Sequence, residues 1–521
     1  MKNLVYLIGF LLLNTSIFAQ TRDCDPVVLK GSQATCMLGL PPTQIVAFRF
    51  ENNQWQQIPV QVDEMILLDI ATPYGPTTGN CFYKSDENVA WDILFYADAN
   101  TYTGPDVANP NIDADDEIAF MARDAGSQST ASNCPAGVDA STRCQITVRD
   151  PLDNTVVGYV YLFRKTGNLR QDANKDYVKL QLRFSTKTIK NLYDVCVFEE
   201  DGANPESSDV STVNYDLHYS RRWVNDELRI KAGNANRIDI LDHHQYFINV
   251  TACNRNEVTF SNGKGPIVAN IDGPIRGIRS VMGANSGTFT QLTTIFTECR
   301  TENVMFYRLH PANGYYDVYD LNRNAIGMLF YNDQNPNGVV IDGVRDNLVK
   351  DKPNEWELTT GPQGSIATSY TFSTDLMLGT QAQYEAGQVE AFVAAYQSDL
   401  GASEPRECTG DMESYNSAGF CMRTKECTDN RYAFAEEPSC LPQNVKFFHQ
   451  TRFQYYLTPS TTKEQAARYA RFAKNPLQVV ATSMSCNGAP TPSCTDGIQN
   501  GQETGVDCGG PICPACVVLP T

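Results

Sequence analysis

The chain has 521 residues, 42% of them hydrophobic, and carries 60 acidic against 41 basic side chains, for a formal net charge of −19. This acidity argues against nucleic acid and anionic lipid surfaces as partners, because both require a basic face on the protein. A chain of this length and apolar content can bury a large core, which we expect to be divided between about two or three domains.

The first 19 residues have the pattern of a secretory signal peptide. Lys2 supplies the basic start, residues 4–13 (LVYLIGFLLL) form a short apolar stretch, and Ala19 precedes the expected cleavage before Gln20. No later stretch reaches the roughly 18 uninterrupted apolar residues that a transmembrane helix needs. We therefore expect an exported protein without a transmembrane segment, either secreted or held at the cell surface.

All 17 cysteines follow the expected cleavage site. In an oxidising compartment, disulfides are the default interpretation for them. Because their number is odd, at least one thiol is either free or bonded to another chain, and the sequence does not indicate which one.

Most of the chain has the alternation and composition of β-strands. Residues 44–62 predict two paired strands joined by a turn at residues 51–53. Further stretches rich in β-branched and aromatic residues predict strands at 156–163, 177–184, 215–223, 238–248 and 287–296. Strands at this spacing, without helical patterns between them, predict a mainly β protein built from antiparallel β-sandwich domains with a few appended helices.

Two helices are predicted in the C-terminal half of the chain. Residues 384–398 carry an apolar stripe at helical spacing. Residues 462–474 begin with a Thr-x-x-Gln capping pattern and end before Asn475-Pro476, where a helix should stop.

We predict five segments from these patterns and from the polar, proline-containing stretch near residue 490. They are a signal peptide (1–19), an N-terminal β domain with an acidic loop (20–165), a main β-sandwich body (166–485), a linker (486–493) and a Cys-rich C-terminal element (494–521).

The C-terminal segment at residues 494–516 (CTDGIQNGQETGVDCGGPICPAC) contains four cysteines and no apolar run. A segment without a core needs cross-links, and only Cys513 and Cys516 have the Cys-x-x-Cys spacing typical of zinc sites. Disulfides among the four cysteines are therefore favoured over zinc: Cys494, Cys508, Cys513 and Cys516. Calcium bound by the acidic side chains of the same segment is an alternative that the sequence leaves open.

The same segment resembles a short Cys-rich element of secreted Bacteroidota proteins. The pattern of that element is Cys-x-Asp-Gly-Ile-x-Asn-Gly-x-Glu-x-Gly-Val-Asp-Cys-Gly-Gly with two further cysteines, and residues 494–516 match every defined position. The resemblance covers 23 of 521 residues. It implies export beyond the inner membrane and often surface display, sometimes through type IX secretion, and it implies no activity. No sorting domain follows the element in this chain, so the export route stays open.

An acidic stretch in the N-terminal domain has a spacing that suits calcium. In NPNIDADDE, oxygen-bearing side chains recur at every second position: Asn109, Asn111, Asp113, Asp115 and Glu117. This stagger can aim successive oxygens at one point, and Ca²⁺ prefers oxygen ligands. An EF-hand is excluded because no glycine stands where that loop turns. A solvated polar turn is the favoured interpretation of this stretch, and a structural calcium site is the alternative that we carry forward as a candidate.

The sequence has no Gly-x-Ser-x-Gly elbow, phosphate-binding loop, His-Glu-x-x-His motif or dinucleotide fingerprint. It does have HYSRRW, which on a strand would place Tyr219, Arg221 and Trp223 on one face. Arg276 and Arg279 lie before a Gly/Asn/Ser loop further along. Aromatic rings beside guanidinium groups suit a sugar that carries a carboxylate, so Tyr219, Arg221, Trp223 and Arg276 are predicted ligand-binding residues.

Catalysis is a weaker prediction. A lyase acting on acidic polysaccharide needs a cation, a base and an acid, and Arg279, Tyr307 and His310 supply those residue types. Nearly every large β protein has such residues, so the sequence does not decide whether this one is an enzyme. We favour a non-catalytic module that binds an extracellular glycan or protein partner, with the lyase as the alternative. The oligomeric state is not indicated.

Overall fold

A computed structural model describes residues 22–69, 92–101, 103–131, 133–184, 206–249, 256–262, 267–282, 290–308, 314–397, 415–424, 447–484, 486 and 508. Within these ranges the protein is mainly β and its sheets are almost entirely antiparallel, which confirms the predicted fold class. None of the helices described is long and apolar enough to cross a membrane.

The strands are numbered in chain order. In the N-terminal part they are β1 (Pro26–Lys30), β2 (Ile45–Glu51), β3 (Gln54–Ile58), β4 (Gln61–Asp63), β5 (Met65–Asp69), β6 (Asp92–Tyr96), β7 (Glu117–Met121), β8 (Cys144–Asp150) and β9 (Asp153–Arg164). The middle of the chain forms β10 (Lys179–Phe184), β11 (Glu206–Ser211), β12 (Tyr215–Tyr219), β13 (Asn225–Ile230), β14 (Leu241–Asn249), β15 (Ile267–Asp272), β16 (Gly277–Met282), β17 (Thr290–Phe296), β18 (Arg300–Arg308) and β19 (Gly314–Leu321).

The remaining strands are β20 (Leu329–Asn332), β21 (Val339–Val340), β22 (Glu357–Gly361), β23 (Gly364–Thr374), β24 (Leu378–Gly379), β25 (Ala391–Gln397), β26 (Ala418–Thr424), β27 (Phe447–Leu457) and β28 (Gln478–Ser483). The α-helices of the described ranges are α1 (Glu257–Asn262), α2 (Gln381–Glu385) and α3 (Lys463–Lys474).

A small sandwich forms the N-terminal part of the fold. The sheet β1-β7-β4 packs on the sheet β28-β8-β9-β2-β3, and the two share one apolar core that contains Leu29, Phe120, Ile146 and Leu162. The turn between β2 and β3 has Asn52 and Asn53 at φ of 51° and 59°. Asparagine tolerates this left-handed conformation, which a tight hairpin turn requires, so the predicted turn is confirmed.

A larger sandwich forms the main body. One layer is the nine-stranded sheet β15-β16-β17-β18-β27-β23-β22-β20-β21. The facing layer consists of the sheets β10-β11-β12-β13 and β14-β19-β26-β25-β24. Leu217 and Leu228 of the facing layer share a core with Phe296 and Ile366 of the nine-stranded sheet. The outer face of that sheet is covered in part by the β5–β6 hairpin and in part by α3.

The chain path differs from the predicted linear order of domains. Strand β28 returns to the small sandwich, where it pairs with β8, and Cys486, placed in the linker by the sequence, is bonded to Cys134. The β5–β6 hairpin, in contrast, leaves the N-terminal segment and packs on the main sandwich. The two sandwiches therefore exchange strands, which hydrophobic patterning along the chain cannot reveal.

The cysteines of the described ranges are mostly paired over long distances in the sequence. The disulfides are Cys24–Cys299, Cys36–Cys144 and Cys134–Cys486. Cys421 is free and buried in β26, and burial raises the pKa of its thiol to about 11. It is thus an unpaired thiol of the kind that the odd cysteine count predicts, and it is poorly placed to react.

One predicted helix is confirmed and the other is wrong. Helix α3 is capped as expected, because the Thr462 side chain accepts from the Gln465 N–H and the Gln465 side chain bonds back. The segment 384–398 is instead the end of α2 followed by β25. Gly387, at φ +72°, has a left-handed backbone that ends helix α2. Strand β25 then pairs with β26 along its whole length, and this pairing decides for a strand although the apolar stripe fits a helix.

Candidate functional site

The predicted sugar-binding face around HYSRRW does not form. Strand β12 ends at Tyr219, so the alternation expected to reach Trp223 stops there. Tyr219 and Trp223 are buried, with 3% and 0% of their surface exposed, whereas Arg221 is exposed. The guanidinium of Arg279 lies 4.4 Å from the Tyr219 ring centroid and donates to the Arg221 carbonyl at 3.5 Å. The structure therefore brings Tyr219, Arg221 and Arg279 together, but largely inside the core.

The candidate catalytic residues do not line an open cleft either. Tyr307 is fully buried in the same apolar cluster as Trp223, and burial raises the pKa of its phenol well above the usual value. Its hydroxyl has no hydrogen-bond partner among the described residues. Arg279 is buried as well, and His310 lies outside the described ranges. The arrangement that a lyase would need is therefore not assembled from Arg279 and Tyr307.

Arg276 joins the two sandwiches. Its guanidinium is buried and lies 2.6 Å from the Asp63 carboxylate and 2.5 Å from the Glu117 carboxylate. Glu117 also accepts from Lys30 and from the Tyr96 hydroxyl, at 2.8 Å and 3.0 Å. Burial alone would raise the pKa of Glu117, but Arg276 and Lys30 hold it at about 2. Arg276 is thus fully engaged within the protein rather than exposed to a ligand.

The acidic stretch at residues 109–117 does not converge on one point, because its last residue, Glu117, pairs with Arg276. Asp113 and Asp115 face each other and share a hydrogen bond, which raises the pKa of Asp115 to about 6. Asn109 donates to Asp113 at 2.8 Å, whereas Asn111 makes no side-chain hydrogen bond within the described part of the chain and Glu117 pairs with Arg276. No group of three or more histidine, cysteine, aspartate or glutamate side chains in the described ranges is arranged to hold a metal ion. Calcium binding stays a prediction.

Of the four cysteines of the C-terminal element, only Cys508 falls within the described residues. It is disulfide-bonded. Cys494, Cys513 and Cys516 lie outside the described ranges, so the pairing among the four stays a prediction.

A polar network lies buried between the two layers of the main sandwich. The Asp317 carboxylate of β19 accepts from His244 Nε2 at 2.9 Å and from Arg452 and Gln450 of β27. The Tyr246 hydroxyl lies 3.0 Å from the other ring nitrogen of His244. Burial lowers the pKa of His244, so the neutral ring donates to Asp317 and accepts from Tyr246. All five side chains are buried, and the network holds the layers in register.

Glu257 of α1 is a buried carboxyl beside this network. Its carboxylate accepts from the Tyr246 N–H at 3.2 Å, and burial raises the pKa to about 8 from an ordinary 4.5. The folded protein therefore holds a proton that the unfolded chain releases, and stability is lost as the pH rises through this window.

We expect the Glu257→Gln variant to remove that pH dependence. The melting temperature of the wild-type protein should fall from about pH 5 to about pH 9 more steeply than that of the variant, because glutamine keeps an acceptor for Tyr246 but cannot ionise. Thermal melts across this range, with the exposed Glu385→Gln as control for loss of one charge, provide the measurement. Parallel curves for wild type and Glu257→Gln would contradict this account of Glu257.

The described surface does contain an open polar cleft, with a volume of about 610 Å³. It lies where the loop after β6 meets the edge strands β10 and β15. Its polar lining residues are Asp98, Asn100, Asp176, Lys179, Gln181, Asn270 and Asp272. We refer to this site as the polar cleft.

Two carboxylates fix the walls of the polar cleft. Asp98 accepts from the Asn270 N–H at 2.8 Å and from the Asn100 N–H at 2.9 Å, which fastens the loop to β15. Asp272 accepts from the Leu180 N–H at 2.8 Å, which fastens β15 to β10. Burial raises the pKa of Asp272, and the neighbouring Asp176 adds to this shift while Lys179 opposes it. The backbone of the polar cleft is thus held by its own acidic side chains.

Other side chains of the polar cleft remain available to a ligand. Those of Asn100, Lys179 and Gln181 are exposed and make no side-chain hydrogen bond within the described part of the chain. The Oδ1 atom of Asn270 is buried without a hydrogen-bond partner in that part. Lys179 and Gln181, two residues apart on β10, therefore present donors and an acceptor on the same face of that strand. Sequence reasoning did not bring these seven polar residues together as one site, because no motif links positions that only sheet pairing brings together.

Comparison with known proteins assigns no family. No family model and no curated protein matches the chain.

Proposed function

We propose that this protein is an extracellular, non-catalytic module that binds an uncharged or amino-bearing carbohydrate in the polar cleft. The observation that carries this proposal is a cleft of about 610 Å³ lined by the exposed and unengaged side chains of Asn100, Lys179 and Gln181. Volumes of this size are typical of sites for small ligands.

The chemistry of the lining suits hydroxyl groups. Each sugar hydroxyl is one donor and an acceptor, and a pair of neighbouring hydroxyls is matched by a carboxylate or amide beside a cationic donor. Asp176 and Asp272 supply acceptors, Lys179 supplies donors, and the Gln181 side chain supplies both. The half-buried Leu182 adds apolar surface for the C–H face of a sugar ring.

The charge of the polar cleft favours binding over the lyase alternative. Three carboxylates and one ammonium line it, so an acidic polysaccharide would meet net repulsion. Among the described residues that line it there is no arginine, histidine or tyrosine, so these residues offer neither a strong anion clamp nor the usual base and acid of a lyase. An amino sugar, by contrast, would bring a positive charge to these carboxylates.

An extracellular location fits the cross-links. The disulfides Cys24–Cys299, Cys36–Cys144 and Cys134–Cys486 are typical of proteins in an oxidising compartment. The signal-like N-terminus and the Cys-rich C-terminal element point in the same direction.

We expect the mature protein to bind members of a panel of neutral and amino-sugar oligosaccharides, and not oligogalacturonate. The Gln181→Ala variant should weaken binding roughly fivefold, because one hydrogen bond is worth about 1 kcal/mol. Gln54→Ala is the matched control, since Gln54 is an exposed strand residue outside the polar cleft. Isothermal titration with each oligosaccharide, with calcium and with a chelator, gives the affinities.

Two results would contradict the proposal. One is failure of every neutral and amino-sugar oligosaccharide to bind; the other is equal affinity of the Gln181→Ala and Gln54→Ala variants for a sugar that does bind. Release of unsaturated uronate ends from oligogalacturonate, seen as new ultraviolet absorbance, would instead support the lyase.

A further inference from the structure

A second cavity lies on the other side of the loop that follows β6. It has a volume of about 300 Å³ and lies between the β5–β6 hairpin and the outer face of the nine-stranded sheet. The hairpin contributes Ile93 and Phe95, and the sheet contributes Ile295, Val304 and Phe306. We refer to this cavity as the apolar pocket.

The polar atoms at the floor of the apolar pocket are already satisfied. Gln291 donates to Ser280 Oγ at 2.9 Å and to Thr293 Oγ1 at 3.3 Å, and the two hydroxyls lie 2.8 Å apart. The Tyr96 hydroxyl, at the hairpin side, donates to Glu117 at 3.0 Å. Water inside the pocket would therefore find few partners, and water needs two to four of them to be held well.

The charge of the apolar pocket differs from that of the polar cleft. None of the described residues that line it is an aspartate, glutamate, lysine or arginine. His449 stands exposed at its mouth, with its ring 4.5 Å from the Phe306 centroid in an edge arrangement. Partial burial lowers the pKa of His449, although the nearby Asp375 carboxylate opposes this shift, so the neutral ring offers one donor and one acceptor at the mouth.

We infer that the apolar pocket is a binding site for a small uncharged molecule with an aromatic or aliphatic ring and one polar group directed at His449. Apolar walls with a few polar groups at one end are the usual composition of such sites. A sugar would not suit this pocket, because its hydroxyls would face Ile93, Phe95 and Val304 without partners. The inference is thus independent of carbohydrate binding in the polar cleft.

The test is fluorescence titration of the mature protein with N-phenyl-1-naphthylamine, a neutral probe with an aromatic ring and one N–H. We expect saturable binding of one probe per chain and a rise in the melting temperature. Val304→Trp, which places a large ring in the pocket, should weaken binding at least tenfold. The matched control Val340→Trp, at a valine that is 51% exposed on β21, should bind as wild type does.

A second variant tests the same pocket in case Val304→Trp does not fold. Ile93→Trp fills the pocket from the hairpin rather than from the sheet, and it should also weaken binding at least tenfold. Absence of saturable binding to the wild-type protein would overturn the inference. The inference would also be overturned if a filling variant that melts cooperatively bound the probe with the affinity of the wild-type protein. Displacement of the probe by an oligosaccharide that binds in the polar cleft would overturn it as well.

Discussion

Replacing Asp317 by asparagine is expected to lower the free energy of unfolding by about 3–5 kcal/mol. The Asp317 carboxylate accepts from His244, Gln450 and Arg452 in a site that excludes water, and asparagine would turn an N–H₂ toward one of these donors. Burial alone would raise the pKa of Asp317, but Arg452 and His244 outweigh it and hold the pKa below its usual value. The variant would therefore leave the Arg452 charge buried without its partner.

Urea denaturation followed by circular dichroism measures this loss. Asp216→Asn is the control, because Asp216 pairs with Lys231 at a partly exposed position, where an ion pair contributes about 1 kcal/mol. Adding Arg452→Met to Asp317→Asn should recover part of the loss, since the unpaired charge is removed with it. Equal midpoints for Asp317→Asn and Asp216→Asn would show that the network does not hold the layers together.

Removal of the Cys24–Cys299 disulfide is expected to cost about 5 kcal/mol. The bond closes a loop of 275 residues, and the entropy that such a cross-link takes from the unfolded chain grows with the logarithm of loop length. The neighbouring ion pair between Arg300 and Asp25 would lose its covalent support at the same time. A double Cys24→Ala, Cys299→Ala variant, purified under oxidising conditions, should therefore unfold at a much lower urea concentration.

The free Cys421 provides the matched control for this disulfide. Cys421→Ala removes a buried sulfur but no cross-link. Its free energy of unfolding should therefore fall by only about 1 kcal/mol, because of lost packing. If the double variant were no less stable than Cys421→Ala, the disulfide would contribute nothing to folding.

Local strand structure was predictable from the sequence because each strand carries its own pattern. The stretch 156–163 alternates and is rich in valine and tyrosine, and it lies within β9. The turn at residues 51–53 carries two asparagines, which tolerate the left-handed backbone that it adopts. Capping of α3 by Thr462 is similarly local.

The errors arose where distant pairing decides the outcome. The apolar stripe of residues 384–398 fits a helix as well as a strand, and the ladder with β26 selects the strand. In HYSRRW the alternation is broken because β12 ends at Tyr219, which turns Trp223 into the core. The sequence analysis assigned these aromatic and arginine side chains to a ligand-binding surface. The same residue types also form buried cation–π contacts, as Arg279 and Tyr219 do.

The polar cleft was beyond sequence reasoning for a related physical reason. The residues that line it are far apart in the chain: Asp98 lies on a loop, others lie on β10, and Asn270 lies on β15. They meet because Asp98 bonds the backbone of Asn270 and Asp272 bonds the backbone of Leu180. None of these contacts has a sequence spacing that identifies it.

The most direct test of carbohydrate binding is a crystal structure of the mature protein with the oligosaccharide of highest measured affinity. The proposal predicts electron density for a sugar ring in the polar cleft, with its hydroxyls within hydrogen-bond distance of Gln181, Lys179 and Asn100. Density for the sugar at another surface, with the polar cleft holding only water, would contradict it.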